Sequence, residues 1–217
     1  GYQEEKRTYK DLWENGQRIA RALDDEKMNR GDAFAIVTLN HPEFVDAMVG
    51  SSIAGTVFVP IDPRTKGKKL TFMLTHSDCR GAIIGDYALE YLEEVLCDCP
   101  LLEWIWVVGS ESQLPDFPLR TERISRILST TVEPMETRVS DPDEPMQMLF
   151  TSGTTGDPKA ILSPYARFGF VGQLGEVFGL RPNDRPYSGL SLTHANAQLI
   201  TLGTTLYMGL QGVFSRK

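Results

Sequence analysis

The chain has 217 residues, 41% of them hydrophobic, and carries 22 Lys and Arg against 29 Asp and Glu, a formal charge of −7. That size and apolar content suit a globular chain with a real core, as one large domain or two small ones. The acidic balance argues against nucleic acid or an anionic membrane as main partner, since both call for a basic face, although backbone dipoles can still build a local phosphate site.

Cys79, Cys97 and Cys99 are odd in number and lack zinc spacing, which reads as reduced thiols in a cytoplasmic setting with no metal centre. No apolar run reaches the ~18 residues of a membrane-spanning helix. The polar opening, Gly1 to Lys10, is unlike a signal peptide and lacks an initiating Met, so a fragment of a longer protein is expected.

In chain order, Tyr9–Leu23 has helical spacing, with Leu12, Ile19, Ala20 and Leu23 on one face. Ala33–Leu39 is a short apolar strand, and Pro42–Ala54 a helix opened by Pro and closed by Gly55. Thr56–Ile61 is a β-branched strand stopped by Asp62-Pro63. Lys66–His76 follows as a helix, then strand 81–84, helix 86–96 and strand 104–108. Helices alternating with nearly continuous apolar strands predict parallel βαβ units buried on both faces. Residues 1–109 are therefore expected as a first α/β region. Residues 110–145, rich in Pro and ending in acidic residues, are expected as an irregular, solvated connection with a short helix at Ile124–Leu128. Residues 146–217 are expected to begin a second α/β region and a further sheet: strands 146–150 and 160–162, helix 165–178, strand 186–190, helix 196–208 and strand 212–215.

The chemistry concentrates in Thr151-Ser152-Gly153-Thr154-Thr155-Gly156-Asp157-Pro158-Lys159, which packs four hydroxyl residues, two glycines and a lysine into nine positions behind an apolar strand. Glycine lets the backbone approach closely, successive N–H groups can form an anion-binding nest, hydroxyls add donors and the lysine adds a point charge. It is not a Walker A loop: two residues separate Gly153 from Gly156, and Lys159 follows Pro158. That spacing argues against a P-loop hydrolase. By composition alone, a flexible polar β-hairpin remains equally open.

The order of these residues resembles the signature loop of the adenylate-forming superfamily: acyl-CoA ligases, luciferases and peptide-synthetase adenylation domains. Gly31-Asp32-Ala33-Phe34-Ala35-Ile36 with Asn40-His41-Pro42-Glu43-Phe44 is similar to the family's strand and helix, and Ala54–Pro63 to its "AG…VP-x-NP" segment. Thr193-His194-Ala195-Asn196 falls where the family opens a helix beside its acyl pocket. Three departures stand out: Ala160 after the lysine instead of Gly, Ser163-Pro164 instead of Thr-His, and Ser191-Leu192-Thr193-His194 instead of the "PLFH" form. The nearest likeness is to fatty-acyl and carnitine-type CoA ligases.

The resemblance implies the N-terminal part of the adenylate-forming fold, with two mostly parallel sheets, flanking helices and a truncated end. It implies activation of a carboxylic acid by ATP and Mg2+ to an acyl-adenylate, then transfer to coenzyme A. Thr151, Ser152, Gly153, Thr154, Thr155, Gly156 and Lys159 would hold the phosphates, Lys159 and Thr151 acting in catalysis. The loop should be loosely packed without nucleotide. His194 and Asn196 would line the acid site; the competing reading of His194 is a core or capping histidine with Thr193 or Asn196 as the cap. Competing functions are a fatty-acyl-AMP ligase or an adenylation domain loading a carrier protein, or a non-catalytic nucleotide-binding scaffold. The fragment alone is expected to be inactive and to self-associate through exposed apolar surface.

Overall fold

The computed structural model describes residues 4–110, 114, 116–151 and 158–216. The chain begins with α1 (Tyr9–Asp25), whose Thr8 and Asp11 form a reciprocal capping box. Strand β1 (Ala33–Val37) is buried along its whole length. Helix α2 (Pro42–Ala54) starts on Pro42, whose fixed φ suits a first turn, and stops where Gly55 turns left-handed at φ 73° and returns its N–H to the Ser51 carbonyl. Then come β2 (Val57–Pro60), α3 (Gly67–His76), β3 (Cys79–Gly85), the short α4 (Leu89–Glu93) and β4 (Trp104–Val108). The expected helix over 86–96 is broken into 3-10 turns around α4.

These strands form a mostly parallel seven-stranded sheet of order β5-β4-β3-β1-β2-β6-β7. One face packs Phe34, Ile36, Phe44, Phe58 and Trp106 under α1 and α2. The other packs Val37, Val59, Leu70, Leu74 and Ile105 against α3 and α4. This two-sided burial is why the strands read as continuous apolar runs.

The 110–145 region departs from the expected linker. Arg120–Arg123 is β5, a parallel edge strand on β4, and Ile124–Leu128 is α5, tucked against α1 through Ile124 and Ile127. An edge strand faces water and carries charge, so β5 has no apolar pattern to betray it. Residues 129–144 are a docked strap rather than a solvated tether. Gln17 pairs with Met135 through both its amide oxygen (2.8 Å) and its amide nitrogen (3.3 Å). Arg18 and Arg21 donate to the Thr130 and Glu133 carbonyls at 2.9 and 2.8 Å. The Arg138 N–H reaches the Ile53 carbonyl at 2.9 Å.

Strands β6 (Pro145–Thr151) and β7 (Lys159–Pro164) form an antiparallel hairpin, and β6 lies parallel to β2. The signature segment therefore hangs from the first sheet, not from a new one. The second sheet is the small parallel pair β8 (Tyr187–Ser188) and β9 (Val213–Phe214). Helices α6 (Tyr165–Gly172) and α7 (Leu174–Val177) precede this pair, and a π-helical segment at Asn196–Leu202 and α8 (Gly203–Met208) lie between its strands. The expected single helices over 165–178 and 196–208 are each divided. Tyr9 ties the two ends of the chain together, its hydroxyl donating to the Thr205 and Leu210 carbonyls at 2.8 and 2.9 Å.

Two features of the core give direct tests. Gly81 lies beside Trp104, where an added Cβ would stand 1.8 Å from the indole ring. Gly81→Ala should destabilise the chain by about 3 kcal/mol, at the upper end for overpacking, because the ring is fully buried between sheet and helices and has nowhere to go. Chemical denaturation with an unchanged midpoint would contradict this.

Asp46 is fully buried in α2, and burial pushes its carboxyl up to about 6 although Arg7 and Asn15 each donate to it at 3.1 Å. The native state therefore binds a proton that the unfolded chain, near 3.9, has released. This group's contribution to stability falls as pH rises through about 4 to 6, by about 3 kcal/mol in all. Asp46→Asn does not titrate, so it should gain on the parent by that order between acidic and neutral pH. A stability difference independent of pH would refute the assignment.

Candidate functional site

Parallel strands deliver their carboxyl ends to one edge, and α/β sheets bind ligands there, most often where strand order reverses. The reversal falls at β1, flanked by β2 and β3. That crevice is closed: the Leu39 N–H donates to the Tyr87 hydroxyl at 2.7 Å, and the Tyr87 ring stacks on His41 with centroids 6.0 Å apart. Strands β2 and β6 end on the same edge.

Strand β6 brings Thr151 to this edge, and β7 returns with Lys159 directly opposite it. The Thr151 hydroxyl donates to the Lys159 carbonyl at 3.4 Å, closing the base of the hairpin. Both residues are exposed. Helix α3 buttresses the approach: Phe72 and His76 stack at 5.0 Å, and both lie edge-on to Phe150, at 6.3 and 6.2 Å. Ser152, Gly153, Thr154, Thr155 and Gly156, and with them the expectation of a loosely packed loop, lie outside the described residues. The hairpin reading and the phosphate reading meet here, since the loop does join two antiparallel strands.

Phe58 pairs with Gln147, so continuing the parallel register sets Asp62, just past β2, level with Thr151. Asp62 accepts from Arg64 at Nε (2.9 Å) and Nη2 (2.6 Å). The Arg64 guanidinium holds the Asp62 carboxyl below its usual range, and His194 adds a smaller pull in the same direction. The turn that carries His194 reaches the same edge, since the Leu192 N–H donates to Asn40, just past the carboxyl end of β1. Asp62 and Arg64 were not singled out by sequence reasoning; the Asp-Pro stop after β2 was the only signal.

His194 is exposed, which excludes a core histidine. Neither Thr193 nor Asn196 caps the helix: Ser191 does the local work, its hydroxyl accepting the Thr193 N–H at 3.2 Å and lying 2.9 Å from the Thr193 hydroxyl. Asn196 is exposed at the first position of the π-helical segment.

A recess of about 450 Å3 opens on the opposite, amino-terminal edge, lined by Ala33, Val57, Arg80, Glu103 and Met148 among others. Its cation is already engaged, Arg80 being 2.7 Å from both Asp32 and Glu103, so its chemistry is structural. Among the described residues, no group of three or more His, Cys, Asp or Glu could hold a metal ion, and no helix is long and apolar enough to cross a membrane.

A family model described as "AMP-binding enzyme" matches residues 2–217. The chain is 27% identical over 213 residues to "Long-chain fatty acid transport protein 6" of Mus musculus, covering 97% of this chain and 34% of that protein. It is 28% identical over 178 residues to "Acyl-coenzyme A synthetase ACSM2A, mitochondrial" of Homo sapiens, covering 81% of this chain and 30% of that one. Among solved structures, an anthranilate CoA ligase in complex with anthranoyl-AMP superposes with a TM-score of 0.84 at 23% identity, over 95% of this chain and 39% of that one. A benzoate CoA ligase from Burkholderia xenovorans LB400 superposes with a TM-score of 0.84 at 20% identity, over 97% and 40%. These structural likenesses establish the fold. The chain spans about a third of the length of the curated relatives it matches.

Proposed function

Because the chain belongs to the AMP-binding enzyme family, we propose that it supplies the phosphate-binding half of an enzyme that activates a carboxylic acid with ATP to an acyl-adenylate. The observation that carries this reading is the pairing of Thr151 with Lys159 at the base of the signature loop, on the sheet edge where Asn40 holds the turn leading to His194.

The acid is already ionised at neutral pH and needs no general base. Its carboxylate oxygen attacks the α-phosphorus of ATP, the bond to the bridging oxygen breaks, and pyrophosphate leaves with the electron pair. Negative charge grows on the leaving group, so fixed donors aimed there lower the barrier. Lys159 supplies a cation at the hairpin, Thr151 a hydroxyl, and Ser152, Thr154, Thr155 and the backbone at Gly153 and Gly156 further donors. This donor set fits phosphate oxygens; Mg2+, which neutralises polyphosphate charge when bound, would take its ligands largely from the phosphates themselves. His194 and Asn196 orient the acid.

The acceptor we propose is coenzyme A, in line with the acyl-coenzyme A synthetase and CoA ligase names among the relatives. The alternative is a fatty-acyl-AMP ligase or carrier-loading domain. Acid-dependent exchange of labelled pyrophosphate into ATP tests activation. Discharge of the adenylate by free coenzyme A separates the acceptors, since a carrier-loading domain requires a phosphopantetheinyl protein. A non-catalytic scaffold is disfavoured because the hydroxyls, glycines and lysine of the loop are all retained. The departures at Ala160 and Ser163-Pro164 lie on β7, beyond the phosphate donors.

Cytoplasmic placement is part of the same proposal. So is self-association of the 217-residue chain, supported by Phe170, Val177 and Phe178, each more than half exposed around α6 and α7.

A further inference from the structure

Leu192 is held by two buried amide side chains that come from distant parts of the fold. The Asn40 oxygen accepts the Leu192 N–H at 2.6 Å, while its nitrogen donates to the Leu190 and Ser215 carbonyls at 2.9 and 2.8 Å. The Gln198 nitrogen donates to the Leu192 carbonyl at 2.5 Å, and the Gln198 backbone N–H donates to the His194 carbonyl at 3.2 Å. Asn40 lies just past the carboxyl end of β1, so the sheet itself grips this turn. Gln198 lies in the π-helical segment, where Gly203 reaches back five residues to the Gln198 carbonyl. Such wide turns recur where a side chain has to be placed for function.

One detail separates positioning from packing. Gln198 is fully buried, yet its side-chain oxygen has no hydrogen-bond partner among the described residues. A half-satisfied buried amide is worse for stability than an apolar side chain of the same size. What Gln198 alone provides is a donor to the carbonyl two residues before His194.

We propose that Asn40 and Gln198 are positioning residues, a two-amide clamp on Leu192 that fixes the Thr193-His194 turn at the carboxyl end of β1. This rests on the acid-site reading of His194 given above. Asn40 suits the task because one side chain presents an acceptor and two donors in fixed geometry.

Gln198→Met in the complete protein keeps the volume and removes the donor. Its denaturation midpoint should be unchanged or higher, while amide hydrogen exchange over residues 192–198 accelerates and exchange in β1 stays as it was. With octanoate and benzoate as probe acids in pyrophosphate exchange, kcat should fall about tenfold with KM for ATP within about twofold, as expected when a reacting group is misplaced rather than ATP released. Placed on His194→Ala, Gln198→Met should add no further loss, the non-additivity of residues acting through one another. Asn40→Asp, which sets a carboxylate against two carbonyls, should repeat the faster exchange and the fall in kcat, with a lowered denaturation midpoint.

Unchanged amide exchange over 192–198 would overturn the clamp, whatever the activity. Losses that multiply in the double variant would also overturn it and leave the reading of His194 standing. Full activity in His194→Ala would instead remove the acid-site reading, and the exchange rates would still decide the clamp.

Discussion

Lys159→Ala in the complete protein should slow acid-dependent adenylation by about 10²–10³-fold, the size of effect seen when one donor to developing negative charge is removed. Its folding stability should change by no more than about 0.5 kcal/mol, because the side chain is exposed and surface substitutions of this kind rarely do more. Lys159 stands opposite Thr151 where the hairpin opens, so Ala leaves the β6–β7 pairing intact and removes only the charge. Lys159→Arg should recover part of the rate, since a planar guanidinium offers charge but not the same compact placement. Thermal denaturation alongside pyrophosphate exchange separates the two effects. A rate within twofold of the parent would remove Lys159 from the phosphate site.

The isolated 217-residue chain should show a larger deficit still. The curated relatives are about three times as long, and the proposal assigns only the phosphate-binding half of the site to this chain. Orientation of reacting groups is worth about 7–11 kcal/mol in enzymes that hold both reactants, and a phosphate cradle alone supplies little of it. The chain should bind ATP weakly, associate at micromolar concentration and produce no steady acid-dependent AMP. The apolar residues around α6 and α7, with the open edges of the β8–β9 pair, are the surface through which it would associate. Sustained AMP production by the purified 217-residue chain would show that the reacting site lies within it.

Much of the fold was legible where local chemistry and burial agree. Helix α2 matches its expected bounds because Pro42 and Gly55 punctuate it, and β4 because a five-residue apolar run buried on both faces has no competing reading. Strand β5 was not legible, since Arg120-Thr121-Glu122-Arg123 is polar at the sheet's edge. The strap over 129–144 escaped because its anchors are side chains of α1, more than 100 residues earlier in the chain, whereas its own composition is that of a solvated linker. The assignment of the hairpin to a new sheet failed for a related reason. Pairing of β6 with β2 is long-range, and an apolar strand does not announce its neighbour.

In the site, the loop was legible as an ordered set of residue types, and Thr151 and Lys159 do come together. His194 was legible as a candidate for the acid site, but what holds its turn was not visible. Asn40 and Leu192 lie 152 residues apart, and a π-helical segment shares the apolar periodicity of an α-helix too closely to be told from it over seven residues.

The central claim is that this sheet edge serves attack of a carboxylate on ATP. The most direct measurement is exchange of radiolabelled pyrophosphate into ATP by the complete protein, with and without an added panel of short-chain, long-chain and aromatic acids. The account predicts exchange that requires an acid and falls at least a hundredfold in Lys159→Ala. Exchange that proceeds equally without any acid, or release of phosphate rather than pyrophosphate, would contradict it.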